Sequence, residues 1–154
     1  MIAWNRQTVN MINYREKAAL QAQIAAIADR LLVKLNLTTP FSLKDLCRGV
    51  AQEYGTGFYT YRAQMPSEIG GIGMAARNGR TIILVNERHS YLTEDYTILH
   101  EIGHLILGHL EPGHAAYERD ETQADLFAQL VLDRMVLPKR HSSSQAARLK
   151  RFLS

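Results

Sequence analysis

The chain of 154 residues holds one cysteine, four prolines and one tryptophan. Cys47 alone excludes an internal disulfide framework, which suits a reducing compartment. It sits in Leu46-Cys47-Arg48-Gly49-Val50, on an expected helix, and reads as a buried structural thiol rather than a ligand. No apolar run reaches the length of a membrane span. The opening Met1-Ile2-Ala3-Trp4-Asn5-Arg6 lacks the apolar stretch of a signal peptide, so a cytoplasmic protein is expected. A net charge of +3 is too small to argue for nucleic acid. What is present is ordinary globular composition, 46% apolar and 21% charged. The length suits one domain, 1–154, with a core at about 15–138 and a basic, serine-bearing tail at 139–154. That tail reads as solvated surface chain or a short surface helix. No repeat or second domain is visible.

Two periods divide the chain. From about Glu16 to Leu37 the residues Ala19, Leu20, Ile24, Ile27, Ala28, Leu31, Leu32 and Leu35 recur at helical spacing, and Pro40 is expected to end the helix. Ser42 is a fair N-cap for a second helix, Leu43 to about Tyr54, broken by Gly55-Thr56-Gly57. Both helices read as scaffold. Strands are then expected at Phe58–Arg62, Gly70–Ala76 and Arg80–Val85, the last two joined through Arg77-Asn78-Gly79 as a hairpin. The β-branched Thr81-Ile82-Ile83-Leu84-Val85 suits an inner strand, and Gly70-Gly71-Ile72-Gly73 an edge that another backbone approaches closely. Asn86 to Ser90 should return the chain to the surface. A helix is then expected from Thr93-Glu94-Asp95 to about Leu107 or Leu110, with Gly108 and Pro112-Gly113 as breakers, and a last one from about Asp120 to Met135, closed by Pro138.

The first of these late helices carries His100-Glu101-Ile102-Gly103-His104. Four residues of helix turn about 400°, so the two imidazoles differ by about 40° in direction and can hold one Zn²⁺ from one side. Glu101 points about 100° away from His100, beside the metal's open face, where a general base belongs. Chance alone yields H-E-x-x-H in roughly one chain in two hundred of this length, so the pattern needs a third ligand to carry weight.

A catalytic zinc takes three protein ligands and keeps one open position. His109, Glu111, His114, Glu118, Asp120, Glu121 and Asp125 follow the motif. His109 narrowly misses the longer H-E-x-x-H-x-x-G-x-x-H pattern, since Gly108 and His109 are each displaced by one position. While the helix continues, it also lies about 140° round from His104. Glu121 is better placed. It opens Glu121-Thr122-Gln123-Ala124-Asp125, whose two acids share a helix face. Glu121 can reach the metal while Asp125 accepts the free N–H of a ligating histidine. The competing reading is an acidic first turn favoured by the helix dipole. Tyr91, Tyr96, His114, Tyr117 and Arg119 are all near enough in sequence to stabilise an oxyanion, and the spacing selects none.

His100-Glu101-Ile102-Gly103-His104-Leu105-Ile106-Leu107, followed by Glu121-x-x-Ala124-Asp125-x-Phe127-Ala128, resembles the ImmA/IrrE family of zinc endopeptidases. Gly71 and Thr81-Ile82-Ile83-Leu84-Val85-Asn86 look like that family's sheet, so the resemblance extends over about residues 15–138. It implies an α+β, zincin-like fold: a small, mostly antiparallel sheet packed on the H-E-x-x-H helix, N-terminal scaffold helices, and a C-terminal helix bearing the third ligand. It implies one Zn²⁺ per chain on His100, His104 and Glu121, with Glu101 as base and Asp125 supporting. It also implies endopeptidase action on a protein, typically a helix-turn-helix repressor of a mobile element or stress regulon. Pro138 falls about one helical turn later than the family's Leu-Leu-Met-Pro would place it. No helix-turn-helix segment accompanies the motif, so direct nucleic-acid binding is not expected, and without an apolar span no membrane partner is expected either. The alternative function is a zinc-binding sensor with little intrinsic proteolysis. A DNA-binding regulator would rest on the basic tail alone.

Overall fold

The computed structural model of the protein describes residues 6–75, 78–88, 91–114 and 117–135, without the side chains of 6–13, 74–75, 91–92 and 117. The basic tail, Pro138 and Arg77 of the hairpin turn lie outside the described residues. Helix α1 spans Arg6–Lys34, starting well before Glu16. Asn36, not Pro40, stops it. Asn36 takes a left-handed φ of 54°. Leu37 N–H then bonds Leu32 O at 2.9 Å and Asn36 N–H bonds Val33 O at 3.1 Å, the paired bonds of a Schellman terminus. Helix α2, Leu43–Tyr54, has the expected ends: the Ser42 hydroxyl accepts from Asp45 N–H at 3.1 Å, and Gly55 closes it at φ 67°.

Three strands follow, β1 (Gly57–Ala63), β2 (Gly71–Ala75) and β3 (Arg80–Asn86), in the order β1-β3-β2. The β-branched strand is central and the glycine-rich one lies at an edge, as its composition suggests. The sheet is mixed rather than mostly antiparallel: β2 pairs antiparallel with β3 through the hairpin, whereas β1 runs parallel to β3. A parallel pair needs a crossover, and here β2 with the 64–70 loop supplies it. Asn86 is the reason that loop holds its shape. It does not lead the chain to the surface but ends β3 fully buried. Its Nδ2 lies 2.8 to 3.3 Å from the carbonyls of Ile69, Pro66 and Met65, and its Oδ1 accepts from Arg88 N–H at 3.1 Å.

Helix α3 spans Tyr91–Ile106 and α4 spans Tyr117–Leu132. Because α3 begins before Thr93, Glu94 rather than Asp95 supplies the acidic charge of its first turn. Glu94 also meets Arg62 of β1 at 2.5 Å. Alternate residues of β3, Thr81, Ile83 and Val85, are buried beside Leu99 and Ile102 of α3. Helix α3 also meets α4, whose Ala124, Phe127, Ala128 and Val131 are all fully buried. Gly103 permits that approach: a Cβ there would lie 3.1 Å from Phe127 and 3.3 Å from the Ala124 backbone. Ile24, Ala28 and Leu31 of α1 complete the core, and the Arg134–Asp29 ion pair ties the chain beyond α4 to α1. Among the described residues, no helix is long and apolar enough to cross a membrane. Burial pushes the Cys47 thiol up to about 11, in keeping with an inert structural thiol.

Candidate metal centre

The close contact of α3 and α4 at Gly103 and Ala124 brings three side chains to one point. The Nε2 atoms of His100 and His104 lie 3.0 Å apart. One carboxylate oxygen of Glu121 is 3.1 Å from His100 Nε2 and the other 3.0 Å from His104 Nε2. Donors held at about 2.0–2.1 Å from a tetrahedral zinc sit roughly 3.3 Å from one another, so this spacing fits one small cation. Protonation fits as well. His100 Nδ1 lies 2.8 Å from Asp125 Oδ1. An ionised carboxylate only accepts, so His100 donates Nδ1–H there, leaving the Nε2 lone pair aimed at His104 and Glu121. Tyr96 donates its hydroxyl to the same Asp125 oxygen at 3.0 Å. Burial and that hydrogen bond push its phenol up to about 12.

Glu101 turns from this point toward the sheet, where β2 crosses α3 at the two glycines. A Cβ on Gly73 would collide with the Glu101 carboxylate. A Cβ on Gly71 would meet Thr97 Cγ2 at 2.6 Å and the Leu84 carbonyl at 2.8 Å. Burial raises the Glu101 pKa above the usual carboxylate range; His100 opposes the shift and Glu121 adds to it. For His104 the shift is downward, from burial first and then from neighbouring His100, which favours the neutral imidazole a metal needs. These groups line a cleft of about 840 Å³ whose other wall is Glu68 and the glycines of β2.

Of the oxyanion candidates, Tyr96 lines this cleft with its hydroxyl already given to Asp125. His114 is turned away, with Nε2 on Asp120 Oδ2 at 2.6 Å and its ring stacked on His109. Arg119 is exposed, and the side chains of Tyr91 and Tyr117 lie outside the described residues.

His109 is where sequence reasoning fell short. It is not among the converging atoms, yet its Nδ1 lies 2.9 Å from His104 Nδ1. The 140° offset from His104 holds only while the helix continues. Instead Gly108, at φ 78°, ends α3 in a second Schellman terminus: His109 N–H bonds His104 O at 3.0 Å and Gly108 N–H bonds Leu105 O at 3.3 Å. In that motif the residue after the glycine folds back on the residue four before it, so Gly108 itself was the available signal.

In this α+β fold two histidines of one helix and a glutamate of the next converge beside a half-buried carboxylate, a His₂Glu donor set of the kind that catalytic metal sites use. The chain matches the family model of the peptidase M78, IrrE N-terminal-like domain over residues 49–148 and belongs to that family. The match takes in the sheet, α3 and α4, whereas α1 precedes it. No curated protein matches the chain.

Proposed function

We propose that the protein is a zinc endopeptidase, with His100, His104 and Glu121 as ligands and Glu101 as general base. The observation that carries this is the convergence of two imidazole lone pairs and one carboxylate at 3.0 to 3.1 Å, with Glu101 alongside. Zinc, when bound, supplies a Lewis acid for the scissile carbonyl and acidifies the attacking water. Glu101 accepts the proton of that water as its oxygen attacks the carbonyl carbon, then returns it to the amine nitrogen as the C–N bond breaks. Its raised pKa suits a group that must take a proton and give it back. Asp125 holds the His100 ring in the tautomer that presents Nε2, and Tyr96 holds Asp125.

The cleft favours an extended peptide. Among the described residues β2 pairs with β3 alone, and its Gly71, Ile72 and Gly73 line the cleft beside Glu101. A substrate segment added to that edge would run its backbone past the carboxylate. The resemblance to ImmA/IrrE proteins suggests the substrate, a helix-turn-helix repressor cleaved in the cytoplasm.

Glu101→Gln tests the reading. The variant should fold, hold zinc as the parent does and lose roughly 10²–10⁴-fold in cleavage of a repressor encoded beside this gene, which it should instead retain as a trapped complex. Parental cleavage by Glu101→Gln would demote the centre to a sensing or structural metal.

A further inference from the structure

Beside the converging donors lies a second cluster, His109, His114 and Asp120, whose nitrogen and oxygen atoms are also close enough for one cation. Asp120 is 6% exposed, and its Oδ1 is buried without a hydrogen-bond partner among the described residues. The cluster has the composition of a second metal site, but its protons argue otherwise. A neutral imidazole carries one N–H and one lone pair. With Nε2 committed to the metal, His104 must carry its proton on Nδ1. The 2.9 Å contact to His109 Nδ1 has room for that one proton, so His109 Nδ1 must be the acceptor. His109 then bears its proton on Nε2, directed at Gln123 Oε1 at 2.7 Å, with the buried Asp120 Oδ1 at 3.4 Å. A cation on His109 Nε2 would force a proton onto its Nδ1 and set two N–H groups head to head.

We propose that His109 is a positioning residue for His104, the counterpart of Asp125 for His100, and that Gln123 and Asp120 fix its tautomer. This rests on the reading of His104 as a metal ligand. The two histidines of one motif are thus oriented by unlike partners. A carboxylate from α4 holds the first. A neutral imidazole, returned by the α3 terminus, holds the second. His114 caps the arrangement by donating to Asp120 at 2.6 Å and stacking on His109 with ring centres 5.4 Å apart.

Zinc competition against a chromophoric chelator, on the full chain, tests this with five variants. His109→Leu should weaken zinc binding by about 10–100-fold, the usual loss when a ligand's supporting partner is removed. His109→Asn, whose Oδ1 can stand where Nδ1 stood, should recover most of that loss. Gln123→Leu should cost less than His109→Leu. In the zinc-loaded protein, the hydrogen-bonded imidazole N–H resonance of His104 should be present in the parent and in His109→Asn and absent in His109→Leu. Unfolding temperatures in excess chelator serve as the control, and a merely structural role would move these without separating Asn from Leu. Parental zinc affinity in His109→Leu, equal losses in Asn and Leu, or a second zinc equivalent abolished by His114→Ala would each overturn the proposal. Parental zinc affinity in His104→Ala would sink the ligand reading beneath it, and that variant alone distinguishes the two failures.

Discussion

The two histidine-rich clusters use nearly the same residue types, two histidines and one acid, and lie side by side, yet they differ in where their protons sit. In the first, Asp125 draws the His100 proton to the outer ring nitrogen, and the inner lone pairs face Glu121 at metal-ligand spacing. In the second, both imidazoles already face acceptors at short range, His114 on Asp120 Oδ2 at 2.6 Å and His109 on Gln123 at 2.7 Å. Composition and proximity alone would rate them alike. What separates them is that one offers converging lone pairs and the other a chain of donors already facing acceptors.

The strongest way to break this comparison is to remove one acid from each cluster. Glu121→Ala should abolish stoichiometric zinc retention, whereas Asp120→Asn should keep one zinc per chain; metal analysis of purified protein reads both. Loss of metal from Asp120→Asn with retention in Glu121→Ala would reverse the assignment. Next in size is Asp125→Ala, expected to weaken zinc affinity or activity by about 10–100-fold because His100 loses the acceptor that orients it. Tyr96→Phe should follow in the same direction with a smaller loss. An Asp125→Ala protein with parental affinity would make Asp125 a mere helix-surface carboxylate.

The smallest expected effect on metal, and the one that separates base from ligands, is Gly73→Ala. The three atoms nearest its Cβ all belong to the end of the flexible Glu101 side chain, so the fold and zinc content should stay near parental while turnover falls roughly tenfold from a misplaced base. Gly71→Ala is its contrast: the Leu84 carbonyl in its way is backbone, so the cost should appear as a lower unfolding temperature. Thermal unfolding and zinc analysis of both variants decide whether the two glycines divide the work this way.

Much of the local structure was readable from short-range rules. Helical spacing put His100 and His104 on one face, alternation and β-branching marked β3 as the inner strand, and Ser42 and Gly55 bound α2 as their capping chemistry requires. The fold-back of His109 was legible too, since Gly108 stands four residues after His104. Gly108 reads as a helix breaker from sequence, but the 140° offset of His109 describes a continuing helix and so hides the fold-back.

Short-range rules made the elements, the two ends of α2 and the side chains that share a face readable, because these depend on residues a few positions apart, whereas α1 and α4 begin earlier than their spacing suggested. Tertiary structure decided the rest: a β1 strand parallel to β3, Asn86 drawn inward to hold a loop, and Glu121 and Asp125 delivered to two separate atoms of one imidazole. Each depends on how closely two elements approach. At Gly103 a missing Cβ lets α4 close on α3, and that contact brings the Glu121 carboxylate to the two histidines.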